Sequence, residues 1–197
     1  MNLQNAIRNL AVAAAICVGL LSVSNLATAQ VITFDRDRVS TKSFVMAMGN
    51  GDSFIKEESH SSFTNPAAAI GTDSPTVRVC LELVNGYSKE FQDGDIVRIR
   101  YRAKYRYMKA SNNPYTGYAV FFEPHERLPH WRDMEWRVRK LRRDGDNDRV
   151  IRETSLVTLQ NVGTEDHLCT QTRAAATWLM TKNDPDFGLA WKFRSLY

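Results

Sequence analysis

An all-β, antiparallel fold is what this sequence predicts, and three observations predict it. Short runs of β-branched and aromatic residues recur along the chain, clusters of turn formers separate them roughly every ten residues, and sustained helical periodicity is scarce. Eight or more strand candidates in a chain of this length favour a β-sandwich, with a jelly roll as the expected topology. No internal repeat is legible.

Taken in order, Arg8 precedes an apolar run from Leu10 to Val23 that closes on Ala27-Thr28-Ala29, the small-x-small pattern of a signal-peptidase site. Residues 1–29 are therefore expected to be a signal peptide, and residues 30–197 a single sandwich domain beginning at Gln30. The fourteen apolar residues are too few for a membrane span, and the mature part offers no other transmembrane candidate. A secreted or periplasmic protein is the expectation, without lipidation or N-glycosylation, since neither signal occurs.

Val31 to Phe34 and Lys42 to Met48 read as an opening hairpin, with a turn at Gly49-Asn50-Gly51-Asp52. Ser53 to Thr64 alternates weakly. Asn65 to Pro75 reads as a surface loop, with one helical turn at Ala67 to Ile70. Thr76 to Val84 is a strand with Val77, Val79, Leu81 and Leu83 on one face. Gly117 to Glu123, Met134 to Leu141, Val150 to Leu159 and Gly188 to Phe193 are further strands. Cys169 to Thr181 reads either as a strand or, through its three alanines, as a short helix.

Removal of the signal peptide leaves Cys80 and Cys169. In an oxidising compartment an even pair is most simply one disulfide, worth about 4–5 kcal/mol for a loop of this length.

The sharpest pattern runs from Ile96 to Tyr107. Val97, Ile99, Tyr101, Ala103, Tyr105 and Tyr107 alternate with Arg98, Arg100, Arg102, Lys104 and Arg106, the period of two of a half-buried strand. One face is apolar and aromatic, the other wholly cationic. Twelve residues exceed the usual strand length, so a bulge or strong twist is expected within it. The chain's net charge of +4 is modest, but residues 95–152 hold 15 Lys or Arg against 8 Asp or Glu. The positive field therefore belongs to the middle of the chain.

The run Glu90-Phe91-Gln92-Asp93-Gly94-Asp95-Ile96-Val97-Arg98-Ile99-Arg100-Tyr101-Arg102-Ala103-Lys104 resembles a strand of jelly-roll carbohydrate-binding modules. Thr76 to Leu83 and Val150 to Leu159 fall where those modules place flanking strands. The resemblance implies a jelly roll that binds carbohydrate. Arginines stand where that family carries small polar residues, which turns the expected ligand from neutral to acidic.

Side chains two apart on a strand face can track the charges of a linear polyanion, and arginine forks onto carboxylate, sulfate and phosphate. The competing explanation is a solvated outer face whose arginines pair with Glu82, Glu123 or Glu153. Arg137, Arg139 and Arg152, on other strands, would extend the patch. Aromatic rings complete a glycan site by stacking on sugar faces. Of Tyr115, Tyr118, Trp131, Trp136, Trp178 and Trp191, Trp131 is the best candidate because it sits in a polar loop.

That loop, residues 123–133, gathers His125 and His130 with three carboxylates, and offers a metal site or the His130 and Tyr118 acid–base pair of a lyase. Asp144, Asp146 and Asp148 begin like a calcium loop, but Arg149 and Ser155 replace its required glycine and glutamate. No cofactor is expected beyond a loose calcium site there. The leading reading is a non-catalytic module for an anionic polysaccharide or other envelope polyanion, with Arg98, Arg100, Arg102, Lys104, Arg106 and Trp131 as ligand-binding residues. Two alternatives stand beside it: a small polysaccharide-active enzyme, and a structural or inhibitory envelope protein with a protein partner. Nucleic acid is not an expected partner for an exported chain.

Overall fold

The computed structural model describes residues 29–34, 41–49, 53–58, 67–71, 77–84, 90–111, 119–124, 131–142, 146–173 and 176–195. Nearly all of the expected signal peptide lies outside them. Twelve strands form among these residues: β1 Phe44–Met48, β2 Phe54–Glu58, β3 Ala67–Gly71, β4 Val79–Leu83, β5 Ile96–Tyr101, β6 Arg106–Ala110, β7 Val120–Pro124, β8 Glu135–Lys140, β9 Val157–Asn161, β10 His167–Arg173, β11 Ala176–Lys182 and β12 Trp191–Ser195. Every pairing between them is antiparallel.

The pairings close on themselves. One circuit passes through ten strands, β1-β4-β5-β6-β7-β3-β11-β10-β9-β12. The shortest passes through six, β1-β4-β5-β8-β9-β12, and forms an inner barrel. The hairpins β2–β3, β6–β7 and β10–β11 cap one end of it, each continuing from a barrel strand, and join one another through β3–β11, β3–β7 and an Ala119–Met180 bridge.

The same register recurs three times. Phe44 opposes Val79, Val97 opposes Trp136 and Val157 opposes Trp191. The hairpin pairs Ala47–Phe54, Arg100–Tyr107 and Gln160–His167 repeat at the same spacing beyond them. A six-stranded barrel capped by three hairpins about a pseudo-threefold axis is a β-trefoil. The equivalent core positions are Phe44, Val97 and Val157; Met46, Ile99 and Leu159; and Ile55, Met108 and Leu168, all buried. A core position asks only for apolar character and suitable volume, so the repeat survives in the pattern of burial and not in residue identity.

The opposite end of the barrel is closed by three short segments. Ile32 donates its backbone N–H to Ile151, Ile151 to Phe91, and Phe91 to Ile32, at 3.3, 2.8 and 2.9 Å. This cyclic exchange satisfies backbone groups that no sheet could pair there, and the three side chains plug the barrel's floor with exposures of 1% or less.

Several expectations need correction. The class and the antiparallel pairing stand, but the strands close into a barrel where a sandwich or jelly roll would leave two open sheets. Val31 to Phe34 joins the floor, not an opening hairpin. Ala67 to Ile70 is strand: Ala67, Ala68 and Ala69 are almost fully buried, and their small side chains let β2, β7 and β11 approach closely. Cys169 to Thr181 contributes to two strands, β10 and β11. Residues 150–159 are broken, with Val150 in the floor and β9 starting only at Val157.

The expected Cys80–Cys169 disulfide is absent: both thiols are free and buried. Cys80 sits on β4 opposite Arg100, with its Sγ 3.9 Å from the Ser43 hydroxyl. Cys169 packs in the cap with Ala67, Ala119, Phe121 and Met180. The two belong to different layers.

Candidate polyanion-binding face

The twelve-residue run from Ile96 to Tyr107 is not one strand. β5 ends at Tyr101, the chain reverses through residues 102–105, and β6 begins at Arg106, with Tyr101 opposite Arg106. Reversal roughly halves the span of about 40 Å that twelve fully extended residues would cover. It also frees Tyr105 from the apolar face assigned to it: the ring stands 73% exposed at the hairpin tip. The turn lacks glycine, asparagine and proline, and Tyr105 itself takes the left-handed conformation, φ 49°. Nothing in the residue types marks that reversal.

Most of the cationic row meets carboxylates on neighbouring strands. Arg98 pairs with Glu135 at 2.7 Å, and its guanidinium lies 4.4 Å from the centre of the Trp131 ring. Arg100 pairs with Glu82, whose second oxygen accepts from the Tyr107 hydroxyl at 3.0 Å. Burial first, and Glu82 second, push the Tyr107 phenol up to about 12. Lys104 and Arg106 converge on one carboxylate, Glu57 on β2, with Arg106 at 2.8 Å. Glu57 was not foreseen, because the weak alternation of Ser53 to Thr64 does not reveal which residues cross to the β6 edge. Glu123 and Glu153 serve elsewhere: Glu123 accepts from Lys109, and Glu153 from the Ser195 hydroxyl.

Arg102 differs from its neighbours. It is exposed at the tip and donates to the Ser43 hydroxyl at 2.7 Å, with no carboxylate paired to it among the described residues. Beside it stand Lys104 and the Tyr105 ring, over which the Arg100 guanidinium sits at 5.4 Å. Cation, aromatic surface and a second cation are thus grouped within one four-residue turn.

Trp131 opens a short 3₁₀ turn, Trp131–Met134, and is partly exposed. Of the other aromatic candidates, Trp136 and Trp191 are core residues and Trp178 packs in the cap. Tyr115, Tyr118, His125 and His130 lie outside the described residues, as does Asp144. Asp146 and Asp148 are engaged by Lys140 and Arg152. No group of three or more His, Cys, Asp and Glu comes together among the described residues. None of their helices is long and apolar enough to cross a membrane.

No protein-family model matches the chain, and no curated protein matches it at a significant level. Solved structures do. The protein O-mannosyltransferase Pmt1-Pmt2 complex of S. cerevisiae, bound to the sugar donor, is 11% identical over 88% of this chain, with a TM-score of 0.65. The chain spans only 27% of that protein's length. The SDF2-like protein from Arabidopsis thaliana is 10% identical over 85% of this chain and 97% of its own, TM-score 0.61. ThreeFoil, a designed 3-fold symmetric protein, is 13% identical over 78% of this chain and 99% of its own, TM-score 0.51. At such identities the likeness is one of fold, and the threefold design agrees with the recurring register.

Proposed function

We propose that this chain is an exported, non-catalytic binding module for an acidic glycan or another envelope polyanion, engaged at the β5–β6 hairpin tip. The observation that carries the reading is the exposed Tyr105 ring in the same turn as Arg102 and Lys104. A sugar face stacks on an open ring, while a carboxylate or sulfate at its edge is held by arginine's fork of donors. Arg98 and Trp131 on the neighbouring wall provide a second aromatic surface with a cation already stacked on it.

The remaining cations of the row act differently from a simple track of charge. Their glutamates leave them short-range and directional, so the tip supplies the first contact and the paired arginines exchange partners only with a well-placed acid. A panel of acidic and neutral glycans tested with the mature chain at low and moderate salt checks this. Selective binding to acidic members, weakened by salt and by about tenfold in Arg102→Gln or Tyr105→Gly, is the expected result. Binding unaltered by both variants overturns it, and a salt-insensitive complex with another protein would replace it.

A further inference from the structure

A second cationic site lies at the other end of β5. There the outward residues of β8 are Glu135, Arg137 and Arg139, and the β5–β8 register sets Glu135 against Arg98 and Arg137 against Ile96. Continued by two residues, it brings Arg139 opposite Gly94. Glu135 is consumed by Arg98. Neither Arg137 nor Arg139 is paired with a carboxylate among the described residues, so this wall carries uncompensated charge of its own, apart from Arg102 at the hairpin tip.

Gly94 makes the place a notch. It takes φ 97°, and the point where a Cβ would stand is 3.4 Å from Arg139 Nη1 and 3.9 Å from Arg149 Nη2. Two guanidinium nitrogens therefore lie within ordinary contact distance of the Gly94 Cβ position, and the positive φ is what favours glycine there. Arg149 is held in place by a hydrogen bond from Nη2 to the Asp93 carbonyl at 2.9 Å, which leaves its other donors for a ligand. The nearby acids are occupied: Asp93 accepts from Arg142 at 2.7 Å and from the Lys140 N–H, and Asp95 accepts from the Gln92 N–H. Arg139 and Arg149 brought together this way repel, which the Asp95 charge near Arg149 offsets in part and an anion between them would offset further.

We infer that the notch over Gly94, walled by Arg139 and Arg149 and approached past Arg137, is a binding site for a tetrahedral oxyanion, the phosphate or sulfate end of a larger ligand. Each guanidinium donates to separate oxygens of the anion. The site is independent of the hairpin tip, which lies at the far end of the strand, so either can fail without the other.

Thermal unfolding of the mature chain with inorganic phosphate, against sodium chloride at matched ionic strength, tests it. Vesicles of phosphatidylcholine with and without phosphatidic acid form a second arm. The expected result is a phosphate-specific, saturable rise in Tm, or vesicle binding that requires phosphatidic acid, weakened roughly tenfold by Arg139→Gln and unaffected by Arg102→Gln. The arm that responds tells whether the oxyanion is free or a lipid headgroup. Arg139 is exposed, so this variant should fold, and Arg149→Gln provides a second. An equal response to chloride, no response in either arm, or one unchanged in both variants overturns the inference.

Discussion

Tyr105 and Glu165 occupy the same place in two of the three repeats, two residues before Tyr107 and His167, and both are held at left-handed backbone angles, φ 49° and 63°. A side chain at such angles crowds its own carbonyl, a cost that glycine avoids. Glu165→Gly is expected to stabilise the protein by about 0.5–1 kcal/mol, read from the urea midpoint. Tyr105→Gly should stabilise comparably and yet weaken acidic-glycan binding. Opposite movement of stability and affinity in one variant would separate function from fold at this turn.

Glu57 anchors two cations from the neighbouring repeat. Glu57→Gln removes the charge and leaves Lys104 and Arg106 facing each other, at an expected cost of about 1–3 kcal/mol because the pair is only partly screened by solvent. The same change unmasks positive charge beside the tip. Polyanion affinity should rise and its dependence on salt should steepen, measured by titration across a salt series.

Tyr107 sets a limit at alkaline pH. Its phenol is raised in the folded protein to about 12, above the ordinary value of 10. The unfolded chain therefore loses this proton first, and the stabilisation, complete below pH 10, drains away as pH rises toward 12. Urea unfolding of the wild type should weaken over that window more steeply than that of Tyr107→Phe.

With no disulfide to reduce, thiol reductants should leave Tm unchanged. Burial raises the Cys169 thiol, which disfavours the reactive thiolate. Alkylation of the folded protein should modify neither Cys80 nor Cys169, and alkylation in denaturant both, as counted by intact mass.

Much of the fold class was legible because alternation is a local signal. Val97, Ile99 and Tyr101 do point into the barrel, and Trp136 and Val138 do the same from β8. Closure was not legible, since whether β12 pairs back onto β1 depends on curvature accumulated over the whole sheet. The threefold repeat hid behind exchanges such as Met46, Ile99 and Leu159, which packing treats as equivalent. In the candidate site the cations were visible, but their glutamates come from strands distant in sequence. The hairpin at residues 102–105 was invisible because the alternating pattern continues straight through it. Gly94 carried a usable clue: a glycine between two aspartates ahead of a strand marks a turn, although not the arginines that converge over it.

The ring formed by Ile32, Phe91 and Ile151 has a consequence for how the protein moves between its states. No bond in it joins neighbours in sequence, so no hairpin can nucleate it, and its closure must await chain segments from three separate regions. Contacts that form late in folding govern how fast a protein opens more than how fast it folds. Ile32→Ala should accordingly speed unfolding in stopped-flow measurements while leaving the refolding rate nearly unchanged. The floor then works as a latch, and the lifetime of the folded molecule is set by three residues drawn from three separate regions of the chain.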